Sequence, residues 1–322
     1  MLLFIVRRLI QFIPVVLAIA TLNFLLLQMA PGDAADIVAG QAGHATPESV
    51  AQLRREFGLD RPLHEQYAIY VAKLATLDLG YSFIYQQPVT NLIVERLMAT
   101  LLLMVLALML AVGLGVLLGI VAARSRGTVV DNVVSVMALI IYAMPVFWLG
   151  LMLIVFFSIT LGILPSGGMI DVRAQHTGIA YVLDVARHLI LPVLTMALFY
   201  VAIYTRLMRS SMLEVYDLDF ITTARAKGLS ERTIAWRHAA RNALLPVVTL
   251  AGLQLGHLLG GSVLVETVFG WPGLGRLVFD SLLQRDLNVL LGILFISSVV
   301  VVLANLAADI TYGLLDPRIV QK

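Results

Sequence analysis

The chain has 322 residues, of which 60% are hydrophobic and 13% charged, about half the roughly 25% charged content of soluble domains. Its mean hydropathy of +0.94 indicates an integral membrane protein, and a net charge of +2 is too small to favour a nucleic-acid partner. Because it contains no cysteine, disulfides, thiol catalysis and cysteine-ligated metals are excluded.

Six segments contain about the 20 apolar residues that a helix needs to cross a bilayer. They are residues 9–30, 98–122, 132–162, 188–208, 243–265 and 288–311. The first run is longer than the apolar part of a secretory signal, and Pro31 follows Ala30 where cleavage would fall, so we expect it to be retained as a span. The sequence therefore predicts an all-α membrane protein with six transmembrane helices.

Six spans place both termini on the same side, and charge predicts which side that is. With the N-terminus inside, the inner segments carry thirteen basic and seven acidic residues, a balance of +6. The outer segments then carry nine basic and thirteen acidic residues, a balance of −4. Since short inner loops are enriched in Lys and Arg, the predicted topology is N-in and C-in.

The spans divide the chain into three predicted regions: residues 1–30 with the first helix, an extracytoplasmic segment 31–97, and a core 98–322 with a cytoplasmic loop at 209–242. In the outer segment, Pro47 and Pro62 are expected to start two short helices, and Gly58 to stop the first. Two interpretations remain open for this segment. It is either a small helical cap on the outer mouth or a docking surface for a soluble substrate-delivery protein.

Polar, aromatic and proline residues inside the spans are candidates for the translocation path. Pro145 removes a helix hydrogen bond and should kink the third span, although a static bend is the plainer interpretation. Polar pairs on one helix face either line a wet cavity or bond between helices, and Asn305 with Asp309 favours the second. The candidates are Tyr142, Pro145, Trp148, Gln254, His257 and Asn305.

Small residues four apart indicate close helix packing. Gly115 and Gly119 have this spacing in the second span, and Gly252, Gly256 and Gly260 repeat it in the fifth.

The segment after the fifth span, 266–276, is rich in glycine and proline, which force an irregular backbone. It is either a turn with Trp271 at the membrane interface or a shaped outer gate of the path. The gate candidates are Glu266, Trp271, Pro272 and Gly273. In the outer loop 163–187, His176, Asp171 and Asp184 match no metal-ligand spacing, so no metal site is expected.

Residues 209–246 form a polar block between two apolar segments. Gly228 should break a short helix, Ser230 should cap a second with Glu231 at its start, and Leu245-Pro246 should begin the fifth span. An ordinary positively charged loop or a lipid-headgroup patch would also explain the basic residues. Neither explains two short helices separated by a glycine.

The chain shows no motif for chemistry of its own. None of its three lysines follows a glycine, so it has no phosphate-binding loop, and it has no H-E-x-x-H or G-x-S-x-G stretch. A self-contained secondary transporter should carry charged groups deep in several spans, and a membrane-embedded enzyme should carry paired catalytic groups. Only Asp309 is a candidate for the first class. We therefore expect no catalytic residue.

The polar block resembles the EAA loop of ABC importer permeases, which docks into the nucleotide-binding subunit. The match runs through Thr222-Thr223-Ala224, Gly228 and Leu245-Pro246, with Thr222 where the general pattern has glutamate. The sequence from Thr223 to Leu229 resembles that of the peptide-permease branch. Further motifs extend the resemblance over nearly the whole chain; they include Arg7-Arg8-Leu9, Pro31-Gly32-Asp33, Phe57-Gly58-Leu59-Asp60, Asp78-Leu79-Gly80, Arg209-Ser210-Ser211-Met212, Trp271-Pro272-Gly273-Leu274-Gly275 and Asp316-Pro317-Arg318.

This resemblance, to the first of two permeases in dipeptide, oligopeptide, glutathione and nickel importers, implies a type I ABC importer permease in a bacterial inner membrane. It implies a second homologous permease, two ABC ATPases, an extracytoplasmic solute-binding protein and surrounding lipid as partners. ATP and Mg²⁺ would bind to the ATPases, and this chain would bind no cofactor. The residues implied in ATPase coupling are Thr222, Thr223, Ala224, Arg225, Lys227, Gly228, Leu229, Ser230 and Glu231. Peptide is the expected substrate, with glutathione or nickel as the alternative.

Overall fold

The computed structural model describes residues 2–29, 47–56 and 58–315; for residues 2–9, 47–49, 53, 56, 255–261 and 307–315 it describes the backbone path alone. These residues are mostly helical, as the composition predicts. The chain divides into two compact units, residues 1–96 with 278–306, and residues 97–277 with 307–322. Helix α4 (Val89–Arg124), α11 (Leu274–Gln284) and α12 (Leu287–Leu315) each run from one unit into the other.

The first unit contains helices α1 (Leu2–Met29), α2 (Pro47–Glu56) and α3 (Leu63–Ala75) and a short hairpin, β1 (Tyr81–Ser82) with β2 (Gln87–Pro88). Aromatic contacts join α1 to α3, because the ring of Phe24 lies 5.4 Å from that of Tyr67. Gly58 has a φ of +70° and Pro62 stands at the N-cap of α3, so the predicted stop and start of these two helices are confirmed.

In the second unit, α4 packs closely against the long helix α7 (Gly178–Tyr216). A Cβ on Gly119 would lie 2.6 Å from the Cβ of Met208 and 2.8 Å from the carbonyl oxygen of Thr205. A Cβ on Gly115 would overlap the Cβ of Tyr204. The predicted packing role of this glycine pair is confirmed, since neither position has room for a side chain.

The predicted third span is broken at Pro145. Helices α5 (Val129–Ala143) and α6 (Val146–Leu153) meet there at an angle of 104°, and α6 continues as a π-helical segment, Ile154–Thr160. Because Pro145 stands at the N-cap of α6, the break is sharper than the kink that the sequence predicts.

Two predicted boundaries are wrong. Helix α7 begins at Gly178, ten residues before the predicted span, so the loop 163–187 is partly helical. Helix α10 (Ala240–Phe269) begins before Leu245 and contains Pro246, so this pair does not start it. A proline is tolerated inside a membrane helix where neighbouring groups compensate for the lost hydrogen bond.

Four described helices are long and apolar enough to cross a membrane, or five if the bent pair counts as one span. They lie at Ile10–Met29, Val89–Arg124, Gly178–Tyr216 and Leu287–Leu306, with the bent pair at Val129–Thr160. The predicted fifth span falls in α10, where residues 255–261 are described by their backbone alone. The total of six therefore stays a prediction.

Candidate functional site

The polar block after α7 is held to the second unit by one face of helix α8 (Asp219–Ala226). Ile221 is fully buried and Ala224, three residues later, is also buried. Both belong to the same apolar cluster as Met208 and Met212 of α7. Thr222, Thr223 and Arg225 are exposed, so the helix presents these three predicted coupling residues outward, whereas Ala224, also predicted in coupling, lies in its buried base.

A left-handed glycine turn ends α8. Gly228 has a φ of +77°, and the N–H of Gly228 donates to the Arg225 carbonyl at 2.9 Å while that of Leu229 donates to the Ala224 carbonyl at 3.3 Å. These bonds satisfy carbonyls that the helix end leaves open. A Cβ on Gly228 would have no neighbour within 4 Å, so only backbone strain requires glycine here.

The second short helix, α9 (Glu231–Thr233), has the predicted cap. The Ser230 hydroxyl accepts from the Thr233 N–H at 3.3 Å. The expectation of a separate helix is wrong, because α9 passes into a π-helical segment, Ile234–Ala239, that leads directly into α10. Ile234, Ala235 and Ala239 are buried, so this continuation is held to the core as α8 is. The polar block is therefore joined rigidly to two long helices, α7 and α10.

An exposed ion pair bridges α8 and α9. Nε of Arg225 donates to Oε1 of Glu231 at 2.9 Å, and the guanidinium lies over the Tyr216 ring at 5.9 Å from its centroid. The hydrogen bond to Glu231 raises the pKa of Arg225, which therefore stays charged at physiological pH. With both side chains about half exposed, the pair orients two charges toward solvent more than it stabilises the fold.

Apolar side chains are exposed beside these charges. Leu218 is 48% exposed, Phe220 40% and Trp236 41%, and Leu229 is exposed at the tip of the turn. Clusters of exposed apolar residues rimmed by polar ones are typical of protein-binding surfaces. We call residues 218–237 the docking block; its exposed face combines apolar contacts with the basic residues Arg225, Lys227, Arg232 and Arg237.

The predicted outer gate, residues 266–276, is built in the opposite way, around a buried carboxylate. Glu266 is fully buried in the last turn of α10, so it belongs to the helix and not to the loop. Its Oε1 accepts from the Thr100 hydroxyl at 2.7 Å and its Oε2 from the Arg276 N–H at 3.0 Å. The Ser262 hydroxyl and the backbone of Gly275 also lie close to this carboxyl group.

Trp271 is not a membrane-interface anchor. It is fully buried, and its indole N–H donates to the Ala99 carbonyl of α4 at 3.0 Å. Thr100, next to Ala99, also accepts from the Leu274 N–H at 2.7 Å. The segment 270–276, which we call the gate loop, is thus fastened to α4 through Glu266, Thr100 and Trp271.

Glycines in the gate loop allow this close approach. A Cβ on Gly273 would overlap the Glu266 carboxyl group, and a Cβ on Gly275 would lie 2.6 Å from the Cα of Val263. Gly270, with a φ of +60°, ends α10 in the left-handed conformation. The irregular backbone predicted for this segment is present, and it is buried within protein, as membrane proteins require.

The pairing of two further polar residues could not be predicted from the sequence. Asp131 at the start of α5 is 3% exposed and accepts two hydrogen bonds from Arg209 of α7. The two residues are 78 positions apart, and each alone is an ordinary charge near the end of a span. Only the packing of α5 on α7 brings them together.

Comparison with known proteins decides the family. The model of the family described as "Binding-protein-dependent transport system inner membrane component" matches residues 115–321, and the model of the corresponding N-terminal component matches residues 1–104. The chain belongs to this family of ABC importer permeases.

Relatives and solved structures agree with that assignment. This permease is 40% identical to the di/tripeptide transport system permease protein DppB of Pseudomonas aeruginosa, with 99% of each chain covered. It is 41% identical to the dipeptide transport system permease protein DppB of Escherichia coli K12, with 100% of each covered. An inward facing crystal form of the MetNI methionine ABC transporter matches 70% of this permease and 96% of its own chain at a TM-score of 0.57 and 19% identity, which shows a shared fold.

Family membership makes the chain a multi-pass transport component and not a catalytic enzyme. A permease of an ABC importer works with ATPase subunits and a binding protein, so an exposed docking surface is expected on it.

The path candidates of this permease are only partly brought together. Tyr142 lies just before the break at Pro145 and stacks on Phe199 of α7, with ring centroids 5.5 Å apart, and Trp148 follows in α6 with 41% exposure. Gln254 is half-buried in α10 and Asn305 half-buried in α12. The side chains of His257 and Asp309 lie outside the described residues, so their predicted roles stay predictions.

Proposed function

We propose that this permease forms half of the translocation path of an ATP-driven importer of di- or oligopeptides and receives the ATPase through its docking block. The observation that carries the proposal is the two-sided block: Ile221, Ala224 and Ile234 fix it to the core, while its apolar and basic side chains point outward. A loop that only followed the positive-inside rule would not need a buried base. The DppB relatives support the choice of peptide, since their names specify di- and tripeptides.

The proposed topology is six spans with both termini in the cytoplasm of a bacterial cell and residues 31–97 outside the inner membrane. The charge balance of +6 inside and −4 outside supports it, and it places the docking block on the side where ATP is available. The coupling residues are those from Thr222 to Glu231 named above.

The proposed assembly contains a second homologous permease, two ABC ATPases and an extracytoplasmic solute-binding protein. ATP and Mg²⁺ bind to the ATPases, and this chain carries mechanical coupling. Glu266 at the end of α10 and the gate-loop residues Trp271, Pro272 and Gly273 close the outer end of the path. Tyr142, Pro145 and Trp148 border the moving part of it.

Reconstitution tests the function and its substrate together. The complex of both permeases, the ATPases and the binding protein is placed in liposomes, and ATP hydrolysis and uptake are measured with di-, tri- and oligopeptides, glutathione and nickel chelates. Stimulation by peptides supports the proposal. Stimulation by glutathione or a nickel chelate alone would show that this compound, and not peptide, is the substrate. Uptake by this chain without ATPases would show that it is not a subunit of an ATP-driven importer.

A further inference from the structure

The Asp131–Arg209 pair joins two helices with full bidentate geometry. Nε of Arg209 donates to Oδ1 of Asp131 at 2.7 Å, and its Nη2 donates to Oδ2 at 2.8 Å. The Asp131 carboxylate also accepts from the Gly127 N–H at 3.1 Å, while the Ser135 hydroxyl is more distant at 3.5 Å. Two parallel bonds fix the angle between donor and acceptor as well as their separation.

Three helices converge at this pair. A Cβ on Gly119 of α4 would lie 3.0 Å from the backbone nitrogen of Arg209, in addition to its overlap with Met208 and Thr205. Helix α7 is thus pressed against α4 on one side of Arg209, while the guanidinium reaches α5 on another. Because the helices are close-packed here, α7 cannot shift at this level without also moving the backbone of α4.

The same stretch of α7 supports the docking block. Met208 and Met212 flank Arg209 and share a buried cluster with Ile221 and Ala224 of α8. Helix α7 is continuous from Arg209 to Tyr216, and α8 begins three residues later at Asp219. A force applied to the exposed face of the block therefore reaches Arg209 through one rigid helix and one apolar contact.

The other end of the connection is the broken span. Asp131 lies in the first turn of α5, a helix of 15 residues. The other end of α5 meets the 104° break before Pro145. A helix tied at its first turn and interrupted by a sharp bend after its last can transmit a displacement to that bend. The bend lies beside Tyr142 and Trp148, two of the path candidates.

We propose that the Asp131–Arg209 pair is the strut that transmits displacement of the docking block to α5, so that both are positioning residues for transport. The inference rests on the proposed docking function. Apolar contacts already hold α5 against α7, and the pair is an inefficient way to add stability because the buried Asp131 carboxylate loses most of its water while Arg209 stays about one-third exposed. A bidentate pair instead fixes direction, which a transmitted movement requires and simple packing does not.

The test compares coupling with activity in the reconstituted complex. Asp131→Asn keeps the shape of the side chain and removes its charge, and Arg209→Lys keeps the charge and removes the bidentate geometry. Ser135→Ala is the matched control, since it removes only the long contact at 3.5 Å. For each variant, substrate taken up and ATP hydrolysed are measured per mole of purified complex, with whichever substrate stimulates the wild-type complex.

The strut predicts that the two pair variants lower substrate taken up per ATP by about tenfold, a typical size for an energetic coupling between sites. Ser135→Ala keeps the wild-type ratio, and the exchange Asp131→Arg with Arg209→Asp restores part of it. If uptake and hydrolysis fall in proportion, or the ratio stays unchanged in Arg209→Lys, the pair is only structural and the proposal is overturned. Absence of ATP-driven uptake in the wild-type complex would instead overturn the proposed function.

Discussion

The docking block and the gate loop use polar residues in opposite ways. Beside the gate loop, the Glu266 carboxylate is fully buried and accepts hydrogen bonds from Thr100 and Arg276. In the docking block, Arg225 and Glu231 satisfy each other only partly and remain about half exposed, beside exposed Phe220 and Trp236. Polar groups satisfied inside the chain determine its own shape, whereas polar and apolar groups left together at the surface indicate contact with another subunit. The following substitutions distinguish residues that determine the fold from residues that contact another subunit.

The largest effect is expected from Glu266→Gln. The Thr100 hydroxyl and the Arg276 N–H both donate to the carboxylate, and an amide nitrogen in place of either oxygen cannot accept, so that buried donor would lose its acceptor. Such a loss costs about 1–3 kcal/mol per group, and more where a charge was bound. The measurement is the Tm and the yield of purified permease in detergent, and we expect both to fall.

The control for Glu266→Gln is Glu95→Gln, the same change at an exposed position of α4. It should leave Tm close to that of the wild type, since surface changes are typically within about 0.5 kcal/mol. Equal loss in both variants, or none in Glu266→Gln, would contradict the structural role of the buried carboxylate.

The next largest effect is expected in α8, where substitutions of two neighbouring residues should have different results. Ile221→Ala empties a fully buried site and should cost about 2–5 kcal/mol locally, so α8 detaches and becomes sensitive to protease. Phe220→Ala, at a site 40% exposed, should leave proteolysis unchanged and reduce co-purification of the ATPase. Limited proteolysis and pull-down distinguish the two outcomes. The comparison fails if Phe220→Ala weakens neither ATPase binding nor uptake.

A smaller effect is expected at the glycine turn. Gly228→Ala meets no atom, but its φ of +77° costs a residue with a Cβ about 1–2 kcal/mol. Gly228→Asn should cost less, because asparagine visits this conformation more readily. We expect normal insertion and a lower ratio of uptake to ATP hydrolysis, larger for alanine than for asparagine. Wild-type uptake in both would argue against a coupling role for the turn.

The smallest effect on stability is expected from Glu231→Gln. The exposed pair with Arg225 contributes at most about 1 kcal/mol, so Tm should change little. Affinity for the ATPase should change more, and its dependence on salt should change with it, because the basic docking block becomes one charge more positive. A titration of ATPase binding at two ionic strengths measures this. A large drop in Tm would mean that the pair serves the fold.

Local features of this permease could be predicted from sequence. The cap at Ser230, the end of a helix at Gly228, a bend at Pro145 and the close packing at Gly115 and Gly119 each depend on one residue type and its neighbours. The apolar runs likewise indicate the membrane helices, because hydropathy is a local property.

Features that depend on distant partners could not be predicted. Trp271 stands at a span end, where an aromatic residue usually marks the interface, and only its bond to Ala99 shows that it is buried. The ion pair between Asp131 and Arg209 joins residues 78 positions apart in the sequence. The continuity of α10 through Pro246 also depends on surroundings, since proline alone predicts a helix boundary.

Cross-linking from the docking block tests the central claim most directly. Because the chain has no cysteine, a single Thr222→Cys variant carries one unique thiol on the exposed face of α8. With a short thiol-directed photo-cross-linker in the assembled complex, we predict an adduct to the ATPase. Val172→Cys, an exposed position in the predicted outer loop, should give no such adduct. An active complex in which position 222 yields no ATPase adduct, or position 172 does, would contradict the account.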